Sequence, residues 1–141
     1  MNLLSIGISH HTASLEVREK MWMSVDEIRE ALKQLKQEFF TECLVVSTCN
    51  RTEVYGLTPE VRLNDLPLKK FLIDLKRANG HVLPDHFAGT YSGGAVNHLF
   101  KVAAGIDSMV IGDIQILSQV KEAFTLSTEM ETTGPVMNRL M

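Results

Sequence analysis

An α+β fold of the ferredoxin-like, split β-α-β kind is what the order of segments predicts. One alternating strand is followed by a capped amphipathic helix, two neighbouring β-branched runs, a second helix, a short fourth strand and further helices. The chain has 141 residues, 45% apolar and 22% charged, which suits one domain with a buried core over 1–141. Gly and Pro are sparse, at 9 and 4, excluding a collagen-like or disordered chain. The expected architecture is an antiparallel sheet with helices on one face, followed by additional C-terminal helices.

The elements follow in order. From Leu3 to Ser9, Leu4, Ile6 and Ile8 alternate with Leu3, Ser5 and Gly7, the period of a strand. Ser24-Val25-Asp26-Glu27 has the form of a capping box, in which a hydroxyl accepts a backbone N–H while Glu27 reaches back. The helix behind it places Ile28, Ala31, Leu32, Leu35 and Phe39 on one stripe. Cys43 to Thr48 and Thr52 to Leu57 read as two strands. Pro67 fits the first turn of a helix with Leu68, Phe71, Leu72 and Leu75 inward and Gly80 as its terminator. Phe87 to Tyr91 reads as the fourth strand. Ser92 can cap a helix with Val96, Leu99, Phe100 and Ala103 inward, stopping at Gly105. A last long helix is expected from near Asp113, burying Leu117, Val120 and Phe124. Gly134-Pro135 breaks it, and 136–141 begins a new amphipathic pattern, expected to be the start of a truncated linker helix.

Charge and cysteine content exclude several classes. The net charge is −3, poor for a general nucleic-acid binder, because phosphate contacts supply most non-specific affinity. From Arg62 to Arg77 there are nonetheless five basic residues against two acidic ones, a solvated helix face or a local face for tRNA. The N-terminus lacks a basic leader, and no apolar run approaches the ~20 residues of a membrane helix. With only two cysteines, a disulfide framework is excluded and a cytoplasmic domain is the expectation.

Three places could carry chemistry. Cys49 sits among Ser47, Thr48 and Asn50, with Arg51 two residues on; a thiol becomes nucleophilic on deprotonation, which a nearby cation or oriented N–H groups favour. Cys43, beside Leu44, Val45 and Val46, reads instead as a buried inert thiol. His98 falls away from the apolar stripe of its helix, as a surface residue or as an imidazole facing a cleft. The passage from Gly105 to Gln115 brackets a turn before a helix N-terminus, and Gln115 and Gln119 share one helix face. No Cys/His spacing resembles a zinc site, and there is no dinucleotide glycine fingerprint or Walker loop.

Three long motifs together resemble the N-terminal catalytic domain of the glutamyl-tRNA reductase family. They are Gly7-Ile8-Ser9-His10-His11-Thr12-Ala13 with Arg18-Glu19-Lys20, the run from Ser47 to Tyr55, and the run from His98 to Ile116 continuing into Gln119-Val120-Lys121. The likeness covers almost the whole chain.

The resemblance implies NADPH-dependent reduction of glutamyl-tRNA(Glu) to glutamate-1-semialdehyde, the entry to 5-aminolevulinate and tetrapyrroles. Cys49 falls on the family's nucleophile, whose thiolate takes the glutamyl group as a thioester. A thioester is a better hydride acceptor than an ester, so one hard step becomes two. His98 falls on an activity-critical histidine expected to assist proton transfer. Thr48, Asn50, Arg51, Ser108, Asp113, Ile114, Gln115 and Gln119 fall on substrate-contact positions, with Arg51 the expected partner of the glutamate carboxylate. Asp113 stands where the family usually has Glu, and Ser14 where proline is common, a change expected to affect only the turn. The resemblance also implies a homodimer of the full enzyme, with the downstream glutamate-1-semialdehyde aminomutase as a partner. The NADPH and dimerisation domains are expected to lie outside this chain, so that residues 1–141 form or hydrolyse the thioester without reducing it.

Two other readings stand beside this one. A non-catalytic ferredoxin-like module binding a ligand or RNA explains the fold but leaves Cys49 and His98 without a role. A thioester-forming aldehyde dehydrogenase fragment is weaker, because its cofactor glycines are missing.

Overall fold

The computed structural model describes residues 2–59, 64–109 and 115–141. Its elements are β1 (Asn2–Ser9), α1 (Leu15–Met21), α2 (Val25–Glu38), β2 (Glu42–Ser47), β3 (Arg51–Thr58), α3 (Leu66–Leu75), β4 (Ala88–Tyr91), α4 (Gly93–Ala103), α5 (Gln115–Glu129) and α6 (Pro135–Leu140). The strands form one sheet in the order β2-β3-β1-β4, with every neighbouring pair antiparallel. This is the split β-α-β arrangement, with β1 inserted between β3 and β4.

The alternation in β1 decides which helices cover which face. Leu4, Ile6 and Ile8 point with Cys43, Val45 and Val54 into a core closed by Ile28, Ala31, Leu32 and Leu35 of α2 and Leu68, Leu72 and Ile73 of α3. Leu3, Leu44, Val46, Tyr55 and Leu57 point the other way, against Ala95, Leu99 and Val102 of α4 and Ile116, Val120 and Ala123 of α5. The split β-α-β helices thus take one face and the additional C-terminal helices the other. Burial on both faces explains why all eight residues of β3 are buried.

The local signals work as the chemistry dictates, with four differences. Ser24 and Glu27 form the full capping box on α2. Gly105 takes a positive φ of 78° just past α4, and the bonds Gly105 N–H to Val102 O and Ile106 N–H to Lys101 O complete a Schellman stop. On α3 the same motif forms without glycine. Arg77, at φ 50°, takes the left-handed position, with Ala78 N–H donating to Ile73 O, and Gly80 serves the next turn instead. Ser92 lies before α4 but makes no side-chain cap bond. The buried stripe of α4 runs Ala95–Leu99–Val102, so Phe100 lies 52% exposed, and Leu117 is likewise exposed on α5. Finally, α1 was not expected. Ser14 starts it, its side chain accepting from Val17 N–H, so the departure at Ser14 caps a helix.

Glycine is required where β1 and β3 approach. A Cβ on Gly7 would lie 2.4 Å from Thr52 O and 2.6 Å from Glu53 Cα. At the far end, buried Glu42 on β2 accepts from Met137 N–H at 2.9 Å and fixes the start of α6 to the sheet.

Candidate active site

The turn between β2 and β3 presents the thiol. Thr48 N–H donates to Arg51 O at 2.7 Å, and the Thr48 hydroxyl accepts from Asn50 N–H at 3.1 Å. These bonds use Thr48 to hold the turn and leave Cys49 exposed at its tip. His10 N–H, just past β1, donates to Asn50 O at 3.1 Å and braces the turn from the neighbouring strand. Around Cys49 lies a cleft of about 60 Å³ lined by Thr48, Asn50, Arg51, Ser108, Gln115, Ile116 and Gln119. Seven of the residues singled out in the sequence therefore meet in one place, with Gln115 and Gln119 contributed by the same face of α5. Asp113 and Ile114 lie outside the described residues. Ile116, which also lines the cleft, belongs to the third motif but was not expected among the contacts.

Arg51 is not a free cation. Its side chain is 1% exposed, and it donates from Nη1 to Glu53 Oε1 at 3.2 Å and to Asp107 Oδ2 at 2.9 Å, and from Nη2 to Asp107 O at 2.6 Å. Burial opposes its charge, but Glu53 and Asp107 outweigh that and hold its pKa above the usual arginine value. Burial likewise pushes Glu53 and Asp107 toward the neutral form, and is overcome. His98 and Arg51 hold the Glu53 carboxyl below the ordinary range, and Arg51 does the same for Asp107.

His98 reaches this network from α4. Its Nε2 lies 2.7 Å from Glu53 Oε2, and its ring stacks on Tyr55, centroids 6.2 Å apart. The bond to Glu53 raises the His98 pKa despite partial burial. His98 does not line the cleft around Cys49. It lines a separate cavity of about 170 Å³ with Ser5, Gly7, His11, Glu53, Thr90 and Asp107, one hydrogen bond from the carboxylate that holds Arg51.

Glu53, Tyr55 and Asp107 were not expected among the site residues. For Glu53 and Tyr55 a signal was present, since Arg51, Glu53 and Tyr55 alternate along β3 and so share one face of the sheet; for Asp107 there was none. The basic helix α3 packs on the opposite face, where Lys69 pairs with Asp65 and Lys76 with Glu27. Among the described residues, no group of three or more His, Cys, Asp or Glu could hold a metal ion. No helix there is long and apolar enough to cross a membrane.

A family model described as "Glutamyl-tRNAGlu reductase, N-terminal domain" matches residues 6–141. The chain belongs to that family. It is 43% identical over 142 residues to the glutamyl-tRNA reductase of Prochlorococcus marinus (strain MIT 9515), covering 100% of this chain and 33% of that relative. It is 40% identical over 141 residues to the glutamyl-tRNA reductase of Bacillus subtilis (strain 168), covering 99% of this chain and 31% of that relative. The structure of the glutamyl-tRNA reductase from Methanopyrus kandleri matches with a TM-score of 0.73 at 27% identity, over 98% of this chain and 31% of that one. The chain thus spans about a third of the length of the glutamyl-tRNA reductases it matches.

Proposed function

We propose that this chain is the acyl-accepting part of a glutamyl-tRNA reductase, taking glutamate from glutamyl-tRNA(Glu) onto Cys49. The observation that carries the reading is the convergence of an exposed thiol with Thr48, Asn50, Ser108, Gln115 and Gln119 in one cleft, in a member of this family.

In the step proposed, the Cys49 thiolate attacks the carbonyl carbon of the aminoacyl ester. The C–S bond forms, the C–O bond to the terminal ribose breaks, and the departing oxygen takes up a proton as the free tRNA hydroxyl. The side-chain amides of Gln115 and Gln119 and the hydroxyl of Ser108 supply donors and acceptors for the amino acid. Arg51 lines the cleft on the side assigned to its carboxylate, its own guanidinium held by Glu53 and Asp107. His98 acts from its separate cavity, through Glu53.

NADPH, when bound, supplies the hydride that converts such a thioester to an aldehyde. The described residues of this chain do not fit it. All strand pairs among the described residues are antiparallel, so the parallel β-α-β crevice that receives a dinucleotide is not formed by them. No reductive step is therefore derived from this chain. Reduction to glutamate-1-semialdehyde for tetrapyrrole synthesis, the homodimer and the contact with the aminomutase belong, in this proposal, to the longer enzyme.

The test is incubation with glutamyl-tRNA(Glu) labelled in the glutamate, comparing the native chain with Cys49→Ser. Label that stays on the native protein and is absent from the variant is the expected outcome. Label on neither protein contradicts the proposal and favours a non-catalytic ligand- or RNA-binding module.

A further inference from the structure

A groove larger than the cleft around Cys49 lies beside it. Its volume is about 580 Å³, and it runs between the start of α2 and the face of α5, across edge strand β2. Gln119 lines both the groove and the Cys49 cleft. Ser47 lies on the groove and is two residues from Cys49, no more than ~7 Å along the chain. The two depressions thus meet at Gln119.

We propose that this groove receives the terminal adenosine of the tRNA whose aminoacyl ester Cys49 attacks. The inference rests on the acyl-transfer reading above and adds where the leaving group sits. The ribose carrying the ester is covalently attached to the reacting carbonyl carbon, so its base must lie within one nucleoside's length of the thiol. The groove has room for it, at a volume within the ~300–1000 Å³ typical of small-ligand sites. Its floor is apolar, formed by Ile28, Val45, Ala123 and Leu126, and Trp22 stands at its edge, 46% exposed. A large indole left half in water is a ready platform for a stacked base.

Charge on the rim favours the nucleoside over the rest of the nucleic acid. Glu129 pairs with Arg29 at 3.2 Å, and Lys121 stands beside Glu122. With Lys121 against Glu122 and Glu129, the rim offers no excess of cations to hold a run of phosphates. It suits a neutral base and ribose, the one end of the tRNA with no phosphate beyond it.

Trp22 is the only tryptophan in the chain, so its fluorescence reports on this groove alone. Titration of the 141-residue chain with the trinucleotide CCA is expected to quench that emission saturably. Ala123→Phe, which fills the floor from α5, is expected to remove the saturable quenching while iodoacetamide still alkylates Cys49 at the native rate. Trp22→Ala is expected to raise the KM for acylation by glutamyl-tRNA about tenfold with the saturated rate little changed, and Trp22→Phe to restore most of it. Absent or non-saturating quenching, quenching that survives Ala123→Phe, or an unchanged KM in Trp22→Ala overturns the assignment. Saturable quenching by CCA without acylation of Cys49 sinks the acyl-transfer reading and leaves the groove standing; acylation without quenching does the reverse.

Discussion

At the scale of single residues, the two thiols are set apart by their surroundings. Cys43 is fully buried on β2, its thiol 3.8 Å from Leu32 O, and burial pushes its pKa up to about 12. Cys49 is exposed at a turn tip. Alkylation of the folded chain with iodoacetamide near neutral pH is therefore expected to modify Cys49 alone, and peptide mapping after a short exposure checks it. Modification of Cys43 at a comparable rate would mean that β2 opens far more readily than its packing allows.

A pH dependence belongs to the same scale. The bond to Glu53 raises the pKa of His98 in the folded chain above the unfolded value of about 6.5. A raised histidine contributes stability that is full below the unfolded pKa and is lost as pH rises through the folded one. His10 has the opposite sign. Burial, and then the neighbouring His11, lower its pKa, so its contribution is full above the unfolded value and is lost as pH falls. The native chain minus His98→Gln is thus expected to show a difference in Tm that shrinks as pH rises above about 6.5. A difference that grows with pH would contradict the ion pair between His98 and Glu53.

At the scale of elements, the close approach of β1 and β3 carries both fold and site. Gly7→Ala drives a methyl into Thr52 O and the Glu53 backbone, with an expected cost of about 1–3 kcal/mol, read by urea denaturation. Because Glu53 holds Arg51 and His98, the same change is expected to slow acylation of Cys49 in protein that remains folded. Leu99→Ala opens a hole between α4 and the sheet, where a buried leucine is worth about 2–5 kcal/mol. A loss below 1 kcal/mol would place α4 more loosely than its buried stripe implies. The elements with a strong period or cap, β1, α2 and β3, were legible in the sequence. The seven-residue α1 was not, because two turns are too short to establish a helical stripe, and its start at Ser14 resembled a turn. On α3 the αL stop fell on Arg77 rather than the nearby glycine, a choice made by the bonds closing the last turn and invisible in composition.

At the scale of the whole molecule, the sheet acts as a divider. One core lies under α2 and α3, and the other face, under α4 and α5, carries the Cys49 cleft and the Arg51–Glu53–His98 network. The residues around Cys49 could be gathered from the sequence because two of the three motifs run through them. The ion network could not, since Asp107 Oδ2 and Arg51 Nη1 are 56 positions apart and meet only when α4 folds onto the sheet. The basic stretch ending at Arg77 reads as a solvated helix face or a local face for tRNA, and two of its lysines are paired with carboxylates on the far side of the sheet. The thiol tip, by contrast, lines the cleft that meets the larger groove at Gln119 of α5.

The most direct measurement is intact-mass and peptide mapping of the chain after brief exposure to glutamyl-tRNA(Glu). One glutamyl group on the peptide holding Cys49, released by neutral hydroxylamine as a thioester is, is the result predicted. No adduct, or an adduct on any other residue that hydroxylamine leaves in place, would contradict the claim that this turn is built to accept an acyl group.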